Sequence, residues 1–132
     1  MLDKSTICAV STAPGVGGIA VIRVSGPEAL PVALRLFRYG GETPVAESVK
    51  PRYAYYGEVI AGDELIDEVV LTYFRAPHSF TGEDTVEISC HGSVYIRRRL
   101  LESLVGEGCQ MAQPGEFTRR AYLNGRMDLS SA

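Results

Sequence analysis

The sequence predicts an α+β domain, in which a mixed or antiparallel β-sheet carries its helices on one side. Three observations point there. The element patterns run strand, strand, helix, strand, strand, strand, helix, helix, which is not the alternation of a doubly wound parallel sheet. Two strand patterns, over residues 52–60 and 65–74, flank the turn residues Ala61-Gly62-Asp63-Glu64, the mark of an antiparallel hairpin. Finally, Thr85-Val86-Glu87-Ile88-Ser89-Cys90-His91 alternates apolar and polar and gives way, past Gly92, to helical spacing.

In chain order, residues 6–10 read as a first strand, followed by the glycine-rich loop Ala13-Pro14-Gly15-Val16-Gly17-Gly18. Residues 19–24 are β-branched and read as a second strand, with Ile19, Val21 and Arg23 on one face and Ala20, Ile22 and Val24 on the other. An arginine in such a strand reaches an edge, pairs with a carboxylate or meets a ligand. Ser25-Gly26-Pro27-Glu28 is a helix start, Leu30, Ala33, Leu34 and Phe37 recur at helical spacing, and Gly40-Gly41 is the expected stop. Residues 42–51 read as loop. In the second hairpin strand Val69, Leu71 and Tyr73 share one face and Val70, Thr72 and Phe74 the other, as in a central strand. Ser93 is the expected cap of a helix carrying Ile96, Leu100 and Leu104, with Leu101 and Val105 beside them, ending at Gly106-Glu107-Gly108. A short extended piece over residues 109–113 precedes a last short helix that begins at Pro114-Gly115-Glu116-Phe117 and closes at Asn124-Gly125.

Composition narrows the function classes. A chain of 132 residues suits one domain and buries a real core without staples. No apolar run approaches the length of a membrane-spanning helix, and the N-terminus lacks the basic head and apolar stretch of a secretory signal, so a cytoplasmic location is expected. The three cysteines, Cys8, Cys90 and Cys109, are widely spaced with no Cys-x-x-Cys, which suggests reduced thiols and neither a metal site nor a disulfide framework. A net charge of −3 argues against holding nucleic acid by bulk electrostatics, and Arg97-Arg98-Arg99 and Arg119-Arg120 are expected to be solvated helix faces. Leu129-Ser130-Ser131-Ala132 reads as an interrupted element, so the chain is expected to be a piece of a longer protein.

Gly15-Val16-Gly17-Gly18-Ile19-Ala20 has the lettering of a dinucleotide fingerprint, but strand residues follow where a helix N-terminus is needed to hold pyrophosphate. No Gly-x-x-x-x-Gly-Lys-Ser/Thr occurs, so the chain by itself is no P-loop GTPase or ATPase. Glu87 is the sharpest residue. Alternation gives it Thr85, Ser89 and His91 as neighbours on one face of its strand, which is either half-solvated or one wall of a polar pocket. A carboxylate on a pocket wall suits a ligand with two adjacent N–H donors. The preceding Glu83 and Asp84 would crowd it with charge unless they find partners. His91 has no nucleophile visibly paired with it, so no catalytic residue is assigned.

Three stretches together resemble the N-terminal part of the bacterial and organellar tRNA modification GTPases of the MnmE (TrmE) family. They are Ala13-Pro14-Gly15-x-Gly17-Gly18-Ile19-Ala20-Val21-Ile22-Arg23-Val24-Ser25-Gly26; Pro77-x-Ser79-Phe80-Thr81-Gly82-Glu83-Asp84-x-Val86-Glu87 with His91-Gly92; and Ala112-x-Pro114-Gly115-Glu116-Phe117-Thr118-x-Arg120-Ala121-Tyr122-Leu123-Asn124-Gly125-Arg126-Met127-Asp128-Leu129. The chain departs from the family in reading Ser93 after His91-Gly92, where a second glycine is common, and Arg126 where lysine is common.

The resemblance implies an α+β unit similar to the folate-binding part of glycine-cleavage aminomethyltransferases. Residues 1–120 would form a folate-binding and dimerisation domain, and residues 121–132 the start of the connection to a helical and GTPase region outside this chain. It implies a homodimer that binds 5-formyl-tetrahydrofolate or another tetrahydrofolate derivative through Arg23, Glu87 and Arg126. Glu87 would accept from the ring N–H and the exocyclic amino group of the pterin; Arg23 and Arg126 would serve the ring carbonyl, the formyl oxygen or the tail carboxylates. In the full-length family a flavin-binding partner protein joins the complex, and an aminomethyl-type group is installed on the wobble uridine of tRNA. GTP, magnesium and potassium are implied only for the region beyond this chain. The competing readings are a dimerisation scaffold without ligand and a free-standing folate-dependent one-carbon transferase. With those flanking motifs, the strand at residues 85–91 reads as a pocket wall.

Overall fold

The computed structural model describes residues 4–12 and 18–125. Most of the glycine-rich loop (residues 13–17), the site candidate Arg126 and residues 127–132 lie outside them. The strands are β1 (Ile7–Val10), β2 (Ile19–Ser25), β3 (Phe37–Arg38), β4 (Ala54–Ala61), β5 (Glu64–Phe74), β6 (Thr85–His91) and β7 (Gln110–Met111). The helices are α1 (Ala29–Leu36), α2 (Val94–Gly106) and α3 (Glu116–Leu123), with a 3-10 turn at Ala46–Ser48 inside the expected loop. The strands form one sheet in the order β3-β4-β5-β6-β2-β1-β7. Every pairing is antiparallel except that of β1 with β7, so the sheet is mixed and the fold is the α+β arrangement expected.

The alternating stretch becomes β6, the middle strand of the sheet, flanked by β5 and β2. Val86, Ile88 and Cys90 are buried, as are Ile22 and Val24 of β2 and Val69, Leu71 and Tyr73 of β5. These residues share one core with Leu30, Leu34, Leu100 and Leu104 of α1 and α2, which cover that face. The opposite face carries Val21, Arg23, Val70, Glu87 and Ser89, all half-buried.

Local chemistry accounts for most boundaries. The Ser93 hydroxyl accepts from the Ile96 amide at 3.1 Å and caps α2 as expected. Leu100 and Leu104 of α2 are fully buried, whereas Val105 is exposed. Pro31 is the third residue of α1, where its missing N–H has no intrahelical partner to lose. The β4–β5 hairpin turns on Gly62 and Asp63, with Ala61 paired to Glu64 and Gly62 at φ +61°. β4 begins two residues later than expected, because Arg52 adopts a left-handed φ of 65°.

The end of α1 differs from the sequence expectation. The helix stops at Leu36 instead of running to Gly40-Gly41, and Phe37 opens a two-residue strand paired with Glu58 and Val59. The cause is tertiary. Phe37 is buried against Gly57, where an added Cβ would meet the Phe37 ring at 2.6 Å and press on the Arg38 carbonyl. Only a glycine on β4 lets β3 come this close.

Candidate ligand-binding site

Two of the three candidate residues meet on the half-buried sheet face. Arg23 of β2 and Glu87 of β6 are direct partners in the antiparallel register. Arg23 donates from Nε to Glu87 Oε2 at 3.1 Å, and its Nη2 lies 3.1 Å from the same oxygen as an ion pair. Their side chains are 18% and 28% exposed, so the pair is neither a solvated surface bridge nor sealed away. Among the described residues, Arg23 Nη1 and Glu87 Oε1 have no hydrogen-bond partner. The pair therefore leaves one donor atom, Arg23 Nη1, and one acceptor atom, Glu87 Oε1, open among the described residues. Thr72 of β5 follows Glu87 across the sheet, and Ala9 of β1 follows Arg23.

Two aromatic rings stand over the cation. The Arg23 guanidinium carbon lies 4.7 Å from the centre of the Phe80 ring and 5.2 Å from that of Phe117. Phe80 comes from the 75–84 segment between β5 and β6, and Phe117 from the first turn of α3.

Both segments are tied down by a buried polar network that the sequence did not disclose. Arg120 is 2% exposed and not part of a solvated helix face. It bonds Glu83 at 3.1 Å, Glu116 at 3.0 Å and the Ser5 carbonyl at 2.7 Å. Ser25 bonds Thr81 at 2.7 Å and Glu83 at 2.8 Å, and Asn124 donates to the Thr81 carbonyl at 2.9 Å. Asp84 accepts from the Ala76 amide at 2.8 Å. The acidic crowd at Glu83-Asp84 thus finds its partners, and a cation was the signal to look for. Arg119, next to Arg120, is exposed as expected.

The other candidates lie apart. His91 closes β6: its backbone N–H and its ring Nδ1 both meet the Asp67 carboxylate, at 2.8 Å each, and it is exposed. Among the described residues its ring hydrogen-bonds only Asp67, and to no nucleophile. The cysteines are all buried, and burial pushes the Cys90 thiol up to about 11. A hydrogen bond shared between Cys8 and Cys109 raises the first thiol above its ordinary range and lowers the second. Among the described residues, no group of three or more His, Cys, Asp or Glu side chains could hold a metal ion. The strand β2, not a helix, follows the glycine-rich loop. A cavity of about 310 Å3 beside α3, lined by Lys4, Pro27, Glu83, Arg119 and Asn124 among others, does not include Arg23 or Glu87. A smaller groove of about 150 Å3, with Ile19, Tyr56, Val70, Ser89 and His91 in its lining, lies on the same sheet face as the pair.

The profile of the family described as "GTP-binding protein TrmE N-terminus" matches residues 6–126. The chain belongs to the TrmE N-terminal family. Its TrmE-type relatives are named tRNA modification GTPase MnmE. That of Porphyromonas gingivalis is 68% identical over 130 residues, covering 98% of this chain and 27% of the relative. Those of Parabacteroides distasonis and Bacteroides thetaiotaomicron are 58% and 50% identical, covering 97% and 99% of this chain and 28% of each relative. This TrmE N-terminal chain therefore spans a little over a quarter of the length of the curated relatives it matches. No helix among the described residues is long and apolar enough to cross a membrane.

Proposed function

We propose that this chain is the tetrahydrofolate-binding and homodimerisation domain of a cytoplasmic tRNA modification GTPase. The whole protein, with a flavin-binding partner, would add an aminomethyl-type group to the wobble uridine of tRNA. GTP, magnesium and potassium would act in the part of the protein beyond this chain, and the chain alone would hydrolyse no GTP. The observation that carries the ligand reading is the Arg23–Glu87 pair, with an open donor and an open acceptor on a half-buried sheet face.

A pterin matches that pair. Its ring N–H and exocyclic amino group are adjacent donors, and its ring carbonyl is an adjacent acceptor. Glu87 Oε2 is already engaged by Arg23, so Oε1 would receive a pterin N–H, while Arg23 Nη1 would donate to a ligand oxygen. Arg126 would add a second cation, and 5-formyl-tetrahydrofolate is the derivative we favour. The chain's part is to bind and orient the folate; the one-carbon unit to be transferred belongs to the ligand. For the homodimer, support comes from the same sheet face, where Ile19 and Tyr56 are 67% and 63% exposed.

Calorimetric titration with 5-formyl-tetrahydrofolate tests the site. Saturable binding is expected for the wild type. Glu87→Gln should weaken it tenfold or more, since a hydrogen bond to a charged group contributes about 1.5–3 kcal/mol. A folded, dimeric chain that gives no heat would leave the scaffold reading standing in place of this one.

A further inference from the structure

We propose that Phe80 and Phe117 are positioning residues: both rings pack on the Arg23 guanidinium and clamp it, and thereby fix the Arg23–Glu87 pair that is offered to a ligand. For the identity of that ligand we rest on the tetrahydrofolate reading above; the clamp itself is a property of the chain alone.

An arginine–carboxylate pair that is open to water holds its geometry poorly, because a long side chain exchanges rotamers at little cost. A planar guanidinium is different when an aromatic face lies against it. The ring quadrupole attracts the cation within about 6 Å of the centroid, and stacking restricts the plane in which the N–H groups point. Both rings here lie inside that range, at 4.7 and 5.2 Å.

Two features separate a clamp from incidental packing. Neither phenylalanine belongs to the hydrophobic core, and Phe80 is 42% exposed, so apolar burial does not explain why these rings sit where they do. The segments that carry the rings are also held independently of Arg23. The Ser79 hydroxyl donates to the Glu83 carbonyl at 2.5 Å and the Glu83 amide to the Thr81 hydroxyl at 3.2 Å, which shapes the turn around Phe80. Arg120 and Asn124 tie α3, and with it Phe117, to the same turn. The ring-bearing segments thus have anchors other than Arg23, and the guanidinium lies against both rings. A lysine at position 23 would keep the charge and lose both the plane and the stacking.

The test has two arms on the 132-residue chain. In the first, the Nε–Hε signal of Arg23, assigned by its loss in Arg23→Lys, is followed by 15N NMR without ligand. Ring currents should move it upfield in the wild type. Phe80→Leu and Phe117→Leu should return it toward the position of a free arginine, and Phe80→Tyr should keep it shifted. An Arg23 signal that does not respond to either leucine substitution overturns the clamp. In the second arm, 5-formyl-tetrahydrofolate is titrated calorimetrically. Each leucine variant should bind roughly threefold to tenfold more weakly, with Phe80→Tyr restoring affinity to within about twofold of wild type. Wild-type affinity in both leucine variants overturns the positioning role. If the wild type itself gives no heat, the folate reading fails, while the NMR arm still decides the clamp. Phe80 is partly in solvent and outside the core, so its leucine variant is expected to fold, which far-UV circular dichroism checks.

Discussion

Replacing Arg120 with methionine should be among the most damaging single substitutions in the chain, and its neighbour Arg119 shows why position decides. Arg120 is 2% exposed and faces two carboxylates, Glu83 at 3.1 Å and Glu116 at 3.0 Å, while Arg119 is exposed and reaches Glu116 only at 3.9 Å. Methionine fills much of the arginine's volume but supplies no charge and no N–H. Glu116, itself buried, and Glu83 then lose that cation, and for a cation among the described residues Glu116 keeps only the distant, exposed Arg119. Removing one partner of a buried ion pair costs about 3–5 kcal/mol, because the remaining charge stays desolvated. With a urea slope of about 2 kcal/mol per M, the unfolding midpoint of Arg120→Met should fall by about 2 M. Arg119→Met should stay within about 0.5 kcal/mol of wild type. The double variant Arg120→Met with Glu116→Gln should recover part of the loss, since one of the stranded charges is gone. Equilibrium urea unfolding followed by circular dichroism measures all three. A loss under about 1 kcal/mol in Arg120→Met, or equal losses for the two arginines, would refute the burial argument.

Further outcomes follow from other parts of the fold. Gly57→Ala should cost about 1–3 kcal/mol by forcing β3 away from β4, read as a lowered melting temperature, and a neutral result would mean that Phe37 is not packed as described. Ser93→Ala should cost about 1 kcal/mol through loss of the α2 cap, with Ser93→Asp close to wild type in the same melts. Because burial raises the Cys90 thiol from 9.0 to about 11, the unfolded chain loses that proton at lower pH than the folded one. Its contribution is fully present below pH 9 and is lost as pH rises toward 11. Urea midpoints across that window should fall less in Cys90→Ala than in wild type, and parallel curves would contradict the assignment.

The parts of this structure legible in the sequence are those set by short-range pattern. The alternation at residues 85–91 separates Val86, Ile88 and Cys90 from Glu87 and Ser89 as the structure does, and Ser93 announces its helix. Thr85 is the exception on its face: it is buried because its hydroxyl turns to the Glu83 carbonyl and to Ser25. What the sequence hid depends on partners far along the chain. The helix pattern through Phe37 is sound locally, and it fails because Gly57 offers a closer seat on β4. The Arg119-Arg120 dipeptide looks uniform, yet only one of the pair points at Glu83, 37 positions away. Arg23 and Glu87 each stood out alone. That they face one another follows from β2 inserting between β6 and β1, a strand order that no local signal encodes.

The placement of β6 at the middle of the sheet bears on how the site fails. Edge strands such as β7 and β3 open by local fraying, whereas paired residues of central strands exchange their amide hydrogens only when the whole domain opens. Arg23 and Glu87 sit on two such strands, while the rings over Arg23 hang from a turn and the short helix α3. In hydrogen exchange the floor of the site should therefore report global stability, and its walls a faster, separate opening. A substitution that weakens the domain without unfolding it would blunt ligand capture by loosening those walls well before the Arg23–Glu87 pair comes apart.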